Sequence, residues 1–150
     1  MSKKIFIIED DANILYGLEA EFTSADFTVE VSEGEEDLEE LMDLLSDFDP
    51  DYIVLDLILP KVDGFDVIKK IKEHDDLADK QIFIFTDLSD EDSKQRSLEM
   101  GADYVFFKEE FDIFQFAEKV KKIIHNQSKS KNTNNDSDDE ENDEESWGAE

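Results

Sequence analysis

The sequence has no cysteine, and no apolar run approaches the roughly 20 residues that a membrane-spanning helix requires. Disulfides and thiolate metal sites are therefore excluded. The first ten residues, MSKKIFIIED, contain only a short apolar run that ends in acidic residues. This is a poor signal peptide and a good first strand. We therefore expect a cytoplasmic protein.

Positive charge is scarce. The 150 residues contain 15 Lys and Arg against 43 Asp and Glu, which gives a formal net charge of −28. Phosphate binding needs clustered Lys and Arg, so this balance argues against nucleic acid and anionic membranes as partners. It favours cations and basic protein surfaces, although an acidic surface can also serve solubility alone.

The chain divides into two parts at about residue 125. Residues 1–125 carry regular apolar patterns, and a domain of this length can bury a sizeable core. Residues 126–150 are polar, low in complexity and almost free of apolar side chains before Trp147. We predict one folded domain over 1–125 and an acidic, disordered tail over 126–150, because the tail cannot bury enough surface to fold.

Five short apolar runs predict five strands: Ile5–Ile8, Phe27–Val31, Tyr52–Leu55, Ile82–Phe85 and Tyr104–Phe107. Most are continuous, as expected for strands covered on both faces. The second alternates between apolar and polar residues, which indicates a strand at the sheet edge. Helical patterns separate the runs, so the order is β-α repeated five times. This predicts a parallel, doubly wound α/β sheet with right-handed crossovers.

The fourth helix, predicted over Ser89–Glu99, differs from the others. Ser89 is a plausible N-cap, and acidic residues follow in the first turn. Leu98 is its only large apolar residue, so we expect a weakly anchored helix.

Polar side chains stand where four of the predicted strands end. Glu9 and Asp10 follow the first strand, Asp56 the third and Lys108 the fifth, and Thr86 ends the fourth. In an open parallel sheet, ligands bind beyond the carboxyl ends of the strands. Three carboxylates at one edge repel each other unless a cation neutralises them, and Mg²⁺ prefers oxygen ligands. We therefore expect a divalent-cation site there.

These blocks resemble the signature motifs of response regulator receiver domains. The matching stretches are IFIIEDD, VLDLILPKVDGFD, IFIFTDLSD and GADYVFFK, which occur in the family's order, and the resemblance covers roughly residues 3–125. The resemblance implies a flavodoxin-like (βα)5 fold with strand order 2-1-3-4-5. It also implies a phosphoacceptor signalling protein of two-component systems rather than a conventional enzyme.

The resemblance assigns a role to each site residue. Asp56 matches the aspartate that accepts a phosphoryl group from a histidine kinase or a phosphotransfer protein. Glu9, Asp10, Asp56 and the backbone carbonyl of Ile58 match the ligands of Mg²⁺. Thr86 and Lys108 match the residues that contact the phosphoryl group.

The sequence departs from the family pattern at three positions. Glu109 replaces the proline that usually follows the lysine, Val105 replaces a common aromatic residue, and Asp87 replaces a small residue. A further feature concerns the lifetime of the phosphorylated form. Ile58 and Leu88 match positions that flank the approach of water, and both are apolar, so we expect slow self-dephosphorylation.

We expect a stand-alone receiver, because the tail is too short and too polar to be a DNA-binding output domain. Its output is then a protein partner at the face of the fourth helix, fifth strand and fifth helix. Two alternatives remain. One is a degenerate receiver that acts as a constitutive interaction module. The other is a phosphatase with an aspartyl nucleophile, but that chemistry uses a second aspartate where this chain has Ile58.

Overall fold

The structure is a computed structural model that describes residues 2–132, with side-chain placement through residue 128. Its elements alternate between strands and helices along the whole described chain. The strands are β1 (Lys4–Ile8), β2 (Thr28–Ser32), β3 (Tyr52–Leu55), β4 (Gln81–Thr86) and β5 (Tyr104–Phe107). The helices are α1 (Ala12–Thr23), α2 (Leu38–Phe48), α3 (Gly64–Glu73), α4 (Glu91–Met100) and α5 (Ile113–Asn132).

All five strands lie in one sheet, and every neighbouring pair is parallel. The strand order is β2-β1-β3-β4-β5, which confirms the predicted topology and the edge position of β2. Each predicted strand lies within about one residue of an observed one. The order reverses direction next to β1, so the switch point lies between β1 and β3, the strands that precede Glu9 and Asp56.

Side chains alternate between two cores, one on each face of the sheet. One core contains Phe6, Ile8, Ile53 and Leu55 and packs against α2 and α3. The other contains Ile5, Ile7, Val54 and several phenylalanines and packs against α1 and α5. This alternation follows from the two-residue period of a strand. It explains the continuous apolar runs within β1, β3 and β4, since both of their faces are covered.

Helix α4 is held more loosely than the other helices. Ser97 is its one buried residue, and Leu98 is 37% exposed. A cation–π contact links α4 to α3, because the Arg96 guanidinium lies 3.9 Å from the centre of the Phe65 ring. The predicted weak anchoring is confirmed. The predicted cap was wrong by one residue, because the Asp90 carboxylate, and not Ser89, accepts from the Ser93 amide.

Helix α5 passes the predicted boundary between domain and tail. It continues to Asn132, seven residues beyond residue 125. Asn126 is only 9% exposed, so the first residue of the predicted tail still packs against the domain. Residues 133–150 lie outside the described residues, and the predicted disorder of the tail stays a prediction.

Gly64 allows the chain to pass close to itself beside the site. A Cβ atom at this position would press against Leu57 Cα and lie 2.7 Å from the Leu57 carbonyl oxygen. The backbone cannot yield easily there, because the Gly64 amide donates a 3.0 Å hydrogen bond to that carbonyl.

We therefore expect Gly64→Ala to lower the free energy of unfolding by about 2–3 kcal/mol or more, which urea denaturation measures. Gly17→Ala is the control. Its new Cβ would meet only the end of the Ile113 side chain, at 3.0 Å, and alanine favours a helix interior. Equal losses for the two variants would contradict the close-approach explanation.

Candidate functional site

The carboxyl ends of β1, β3, β4 and β5 bring the predicted site residues to one edge of the sheet. Glu9 follows β1, Asp56 follows β3, Thr86 ends β4 and Lys108 follows β5. The backbone amide of Asp56 donates to the carbonyl of Ile8 at 3.1 Å, and that of Lys108 donates to the carbonyl of Thr86 at 2.8 Å. The sheet ladder thus continues one step past the strands and fixes the backbone from which these side chains project.

Asp56 is buried, and both of its carboxylate oxygens have a hydrogen-bonding partner. It is 3% exposed. Its Oδ2 atom lies 2.8 Å from Lys108 Nζ, and its Oδ1 accepts a hydrogen bond from the Ile58 amide at 3.2 Å. A buried carboxylate is costly unless it is paired and hydrogen-bonded, and both conditions hold here. The Ile58 amide also fixes the direction of the carboxylate.

Lys108 joins two acids rather than one. Its Nζ lies 3.0 Å from Glu9 Oε1 as well as 2.8 Å from Asp56 Oδ2. Glu9 is 2% exposed and accepts a further hydrogen bond from the Asp11 amide at 3.1 Å. The sequence placed Lys108 at the same sheet edge as these acids, but it gave no indication of the contact with Glu9. Residues 99 positions apart carry no local signal, and the pairing depends on the order of the strands.

The structure also shows which oxygens could hold a cation. Glu9, Asp10 and Asp56 each offer a carboxylate oxygen, and these three atoms lie within 4.8 Å of one another. Asp10 is exposed while the other two are buried, so the group opens to solvent on one side. A set of carboxylate oxygens with an open side suits a hard divalent cation that keeps some of its waters. The residues present therefore fit the predicted metal.

Burial and neighbouring charges shift the pKa values of Glu9 and Lys108 in this cluster. Burial, and then the charge of Asp56, raise the pKa of Glu9 to about 7, against the lowering effect of Lys108 and the Asp11 amide. For Lys108 burial opposes the charged form. The hydrogen bonds and charges of Asp56 and Glu9 outweigh it, and the pKa of Lys108 is raised. Two buried carboxylates share one ammonium group, and the cluster lacks one positive charge.

Thr86 lies one strand away from Asp56, at the end of β4. The residue is fully buried, and its Oγ1 atom accepts a hydrogen bond from the Leu88 amide at 3.2 Å. This bond tethers the loop that leads into α4.

The structure also places the three departures from the family pattern. The bond between Lys108 and Glu109 is trans, as are all peptide bonds among the described residues. A turn follows, because the Glu110 amide donates to the Phe107 carbonyl at 3.0 Å. Val105 is partly buried against the core beside α3 and α4, and Asp87 is exposed. Asp11 caps α1 by accepting a hydrogen bond from the Ile14 amide.

Among residues 2–132, no helix is both long and apolar enough to span a membrane. The sequence model of the response regulator receiver domain family matches residues 5–121. Response regulator ArlR of Staphylococcus aureus strain Mu50 is 30% identical to this chain over 125 residues, which cover 83% of this chain and 53% of that relative. This chain therefore spans about half the length of that relative.

Solved structures resemble the fold over most of the chain. Response regulator DrrB of Thermotoga maritima, an OmpR/PhoB homologue, has a TM-score of 0.70 and 25% identity, covering 85% of this chain and 54% of that one. The phosphorylated cyanobacterial phytochrome response regulator RcpA has a TM-score of 0.68 and 26% identity, covering 82% and 91%. Both align with the five-stranded domain described above.

Proposed function

The chain belongs to the response regulator receiver domain family of two-component signalling, and we propose that it is a switch in which Asp56 accepts a phosphoryl group from a phosphohistidine. The donor is a histidine kinase or a phosphotransfer protein. The observation that carries the proposal is the environment of Asp56, a buried carboxylate held 2.8 Å from Lys108 beside two further acids. RcpA, which shares the fold, has been solved in a phosphorylated form.

In the proposed transfer, an oxygen of Asp56 forms a bond to phosphorus while the bond between phosphorus and the donor's imidazole nitrogen breaks. The electron pair of that bond returns to the imidazole. Lys108 supplies a fixed positive charge for the phosphoryl oxygens. Glu9, Asp10, Asp56 and the Ile58 carbonyl would hold Mg²⁺, which supplies the second positive charge that the cluster lacks. The protein modifies itself and turns over no other substrate, so we do not class it as a conventional enzyme.

We propose that the signal leaves the site through Thr86. Its hydroxyl would leave the Leu88 amide and donate to the phosphoryl group, and the loop before α4 would follow. The weak anchoring of α4 supports this, because a helix with one buried residue costs little to move. Val105 has no hydroxyl and no ring, so the family's threonine-to-aromatic relay is expected to be altered here.

The raised pKa of Glu9 predicts how metal affinity depends on pH. A cation must displace the proton from Glu9, whose pKa is about 7. We expect the affinity for Mg²⁺, measured by calorimetric titration, to fall about tenfold between pH 8 and pH 6. In the folded protein the pKa of Glu9 lies above its ordinary value of 4.5. Without metal, the free energy of unfolding should therefore fall as pH rises from about 4.5 to about 7. Glu9→Gln should remove both trends, and their persistence in that variant would assign them to another group.

We expect the phosphorylated form to persist for minutes to hours. Ile58 is 49% exposed and Leu88 partly exposed, and their backbone amides donate to Asp56 and Thr86, so two apolar residues adjoin the site. Neither can orient a water molecule for attack on phosphorus. Loss of the phosphoryl group can be timed by mass spectrometry after the donor is removed. Ile58→Asn should shorten the lifetime, and a half-life of seconds in the parent protein would contradict the prediction.

We propose that the output is a contact with another protein, made by the face of α4, β5 and α5. The net charge of −28 argues against nucleic acid and anionic membranes as partners. That the receiver acts without a fused output domain stays a prediction, as does its cytoplasmic location.

Binding of beryllofluoride, a phosphoryl mimic, tests the function without a kinase. With Mg²⁺ present, we expect amide resonances near Asp56, Thr86 and Lys108 to shift in two-dimensional NMR spectra, followed by those of α4. Unchanged spectra would favour the alternative, a receiver that acts as a constitutive interaction module. The charge of Asp87 and the absence of proline after Lys108 are the features that leave room for that alternative.

A further inference from the structure

Helix α5 carries a shallow, open depression on its outer side, which we call the α5 groove. It has a volume of about 540 Å³, and its lining includes Phe114, Glu118, Lys119, Lys121, Lys122 and His125. Phe114 is 58% exposed, the largest exposed fraction among the large apolar side chains of the described residues. The exposed ring of Phe114 offers a face on which another aromatic side chain can pack.

The charge of the α5 groove is opposite to that of the protein. Its lining holds three lysines and one acid, whereas the whole chain carries 15 basic and 43 acidic residues. Lys121 already pairs with Glu118 at 2.8 Å, and with Glu21 of α1 at 3.7 Å. The groove is therefore a local positive site on a strongly negative protein, and it suits an acidic segment that contains an aromatic residue.

The chain itself contains such a segment. Residues 133–150 hold nine acidic residues, no Lys or Arg, and Trp147, the only tryptophan of the protein. Within it, the stretch DEENDEESW at 139–147 places six acids ahead of the tryptophan. These residues lie outside the described part of the chain, so the argument rests on their composition and on where α5 ends.

We propose that residues 139–147 dock in the α5 groove of the same molecule. The acids would lie against Lys119, Lys121 and Lys122, and the Trp147 ring would pack on Phe114. An aromatic contact of this kind stabilises by about 0.5–1.5 kcal/mol beyond the area it buries, and the charges add attraction at low ionic strength. This inference does not depend on phosphorylation of Asp56.

The tail is long enough to reach the groove. The described chain ends at Asn132 in α5, 18 residues beyond Phe114, a distance of about 27 Å along a helix. From there to Trp147 there are 15 residues, which span up to about 50 Å when extended. A tethered segment acts at an effective concentration in the millimolar range, so even a weak contact is populated.

Docking would place the tail on α5, which contributes to the face that we propose for partner proteins. The α5 groove lies on α5, one of the three elements of that face. A partner would then compete with the tail, and the tail would set a threshold for output. The rest of the acidic surface repels the tail, which favours this one position.

Fluorescence of Trp147 in the full chain tests the proposal, since no other tryptophan contributes. At low salt we expect a blue-shifted emission that is less quenched by acrylamide than in Lys119→Glu/Lys122→Glu. If the dissociation constant of the contact is about 1 mM, it equals the effective concentration of the tail, and about half of the molecules are docked. The charge reversal should release the tail in that half. Phe114→Ser, which changes no charge, should also release the tryptophan. Salt of about 1 M should weaken the contact in the parent protein.

The control variant is Lys69→Glu/Lys70→Glu, which makes the same change of charge at two exposed lysines of α3. It should leave the emission unchanged, and circular dichroism should show that every variant is folded. The proposal is overturned if Trp147 is equally exposed in the parent and in both groove variants. It is also overturned if the blue shift grows with protein concentration, since that would indicate docking on a second copy.

Discussion

Asp56→Asn is expected to abolish phosphorylation, whether the donor is a phosphohistidine protein or a small acyl phosphate. The variant keeps the shape of the side chain and one oxygen, so the hydrogen bond from the Ile58 amide can remain. It loses the negative oxygen that attacks phosphorus and that pairs with Lys108 at 2.8 Å. An amide is a far weaker nucleophile than a carboxylate, and no other group in the cluster occupies its position.

Electrophoresis that separates phosphorylated from unmodified protein measures this effect. Asp66→Asn is the matched control, because Asp66 is an exposed acid on α3 and makes the same change of charge. The control should be phosphorylated like the parent protein. Residual labelling of Asp56→Asn at the parent level would mean that another residue accepts the phosphoryl group.

Lys108→Met is expected to produce the second large effect, a loss of stability of about 3–5 kcal/mol at pH 8 in the absence of metal. The side chains of Lys108, Glu9 and Asp56 are 9%, 2% and 4% exposed. Removing the ammonium leaves two buried carboxylates without a counter-charge. The loss should shrink as pH falls, because protonation of Glu9 removes the repulsion, and Mg²⁺ should restore part of the lost stability.

Urea denaturation of Lys108→Met and Lys80→Met makes the comparison direct. Lys80 also forms an ion pair, 3.0 Å from Asp49, but the Asp49 side chain is 65% exposed. An exposed pair contributes at most about 1 kcal/mol, so Lys80→Met should be nearly neutral. The double variant Glu9→Gln/Lys108→Met should recover part of the lost stability. Equal stability of the two single variants would show that the buried cluster does not depend on Lys108.

The sequence predicts most of this fold because the apolar runs are short, separate and strongly patterned. Both faces of β1, β3 and β4 are covered, which explains the continuous apolar runs within them, and the alternation in β2 located the sheet edge. Helix ends were less predictable. Ser89 and Asp90 are both good caps, and only the observed hydrogen bond to the Ser93 amide decides between them. The end of α5 was missed because its last turns contain polar residues with no apolar period.

The sequence predicted which residues of the candidate site lie together. It did not predict the hydrogen bonds and ion pairs between them. Parallel strands bring Glu9, Asp56 and Lys108 to one edge, and the motif spacing identified them. Which oxygens Lys108 contacts depends on side-chain packing over distances that no local pattern encodes. The same holds for the tether between Thr86 and the Leu88 amide, which appears only when the loop before α4 is placed.

The most direct test of the central claim is the intact mass of the protein after incubation with acetyl phosphate, with and without Mg²⁺. We predict a gain of one phosphoryl group that requires Mg²⁺, is reduced at pH 6 by the raised pKa of Glu9, and maps to Asp56. No gain at any pH in the presence of Mg²⁺ would contradict the account, and the cluster of Glu9, Asp56 and Lys108 would then be a purely structural ion-pair network.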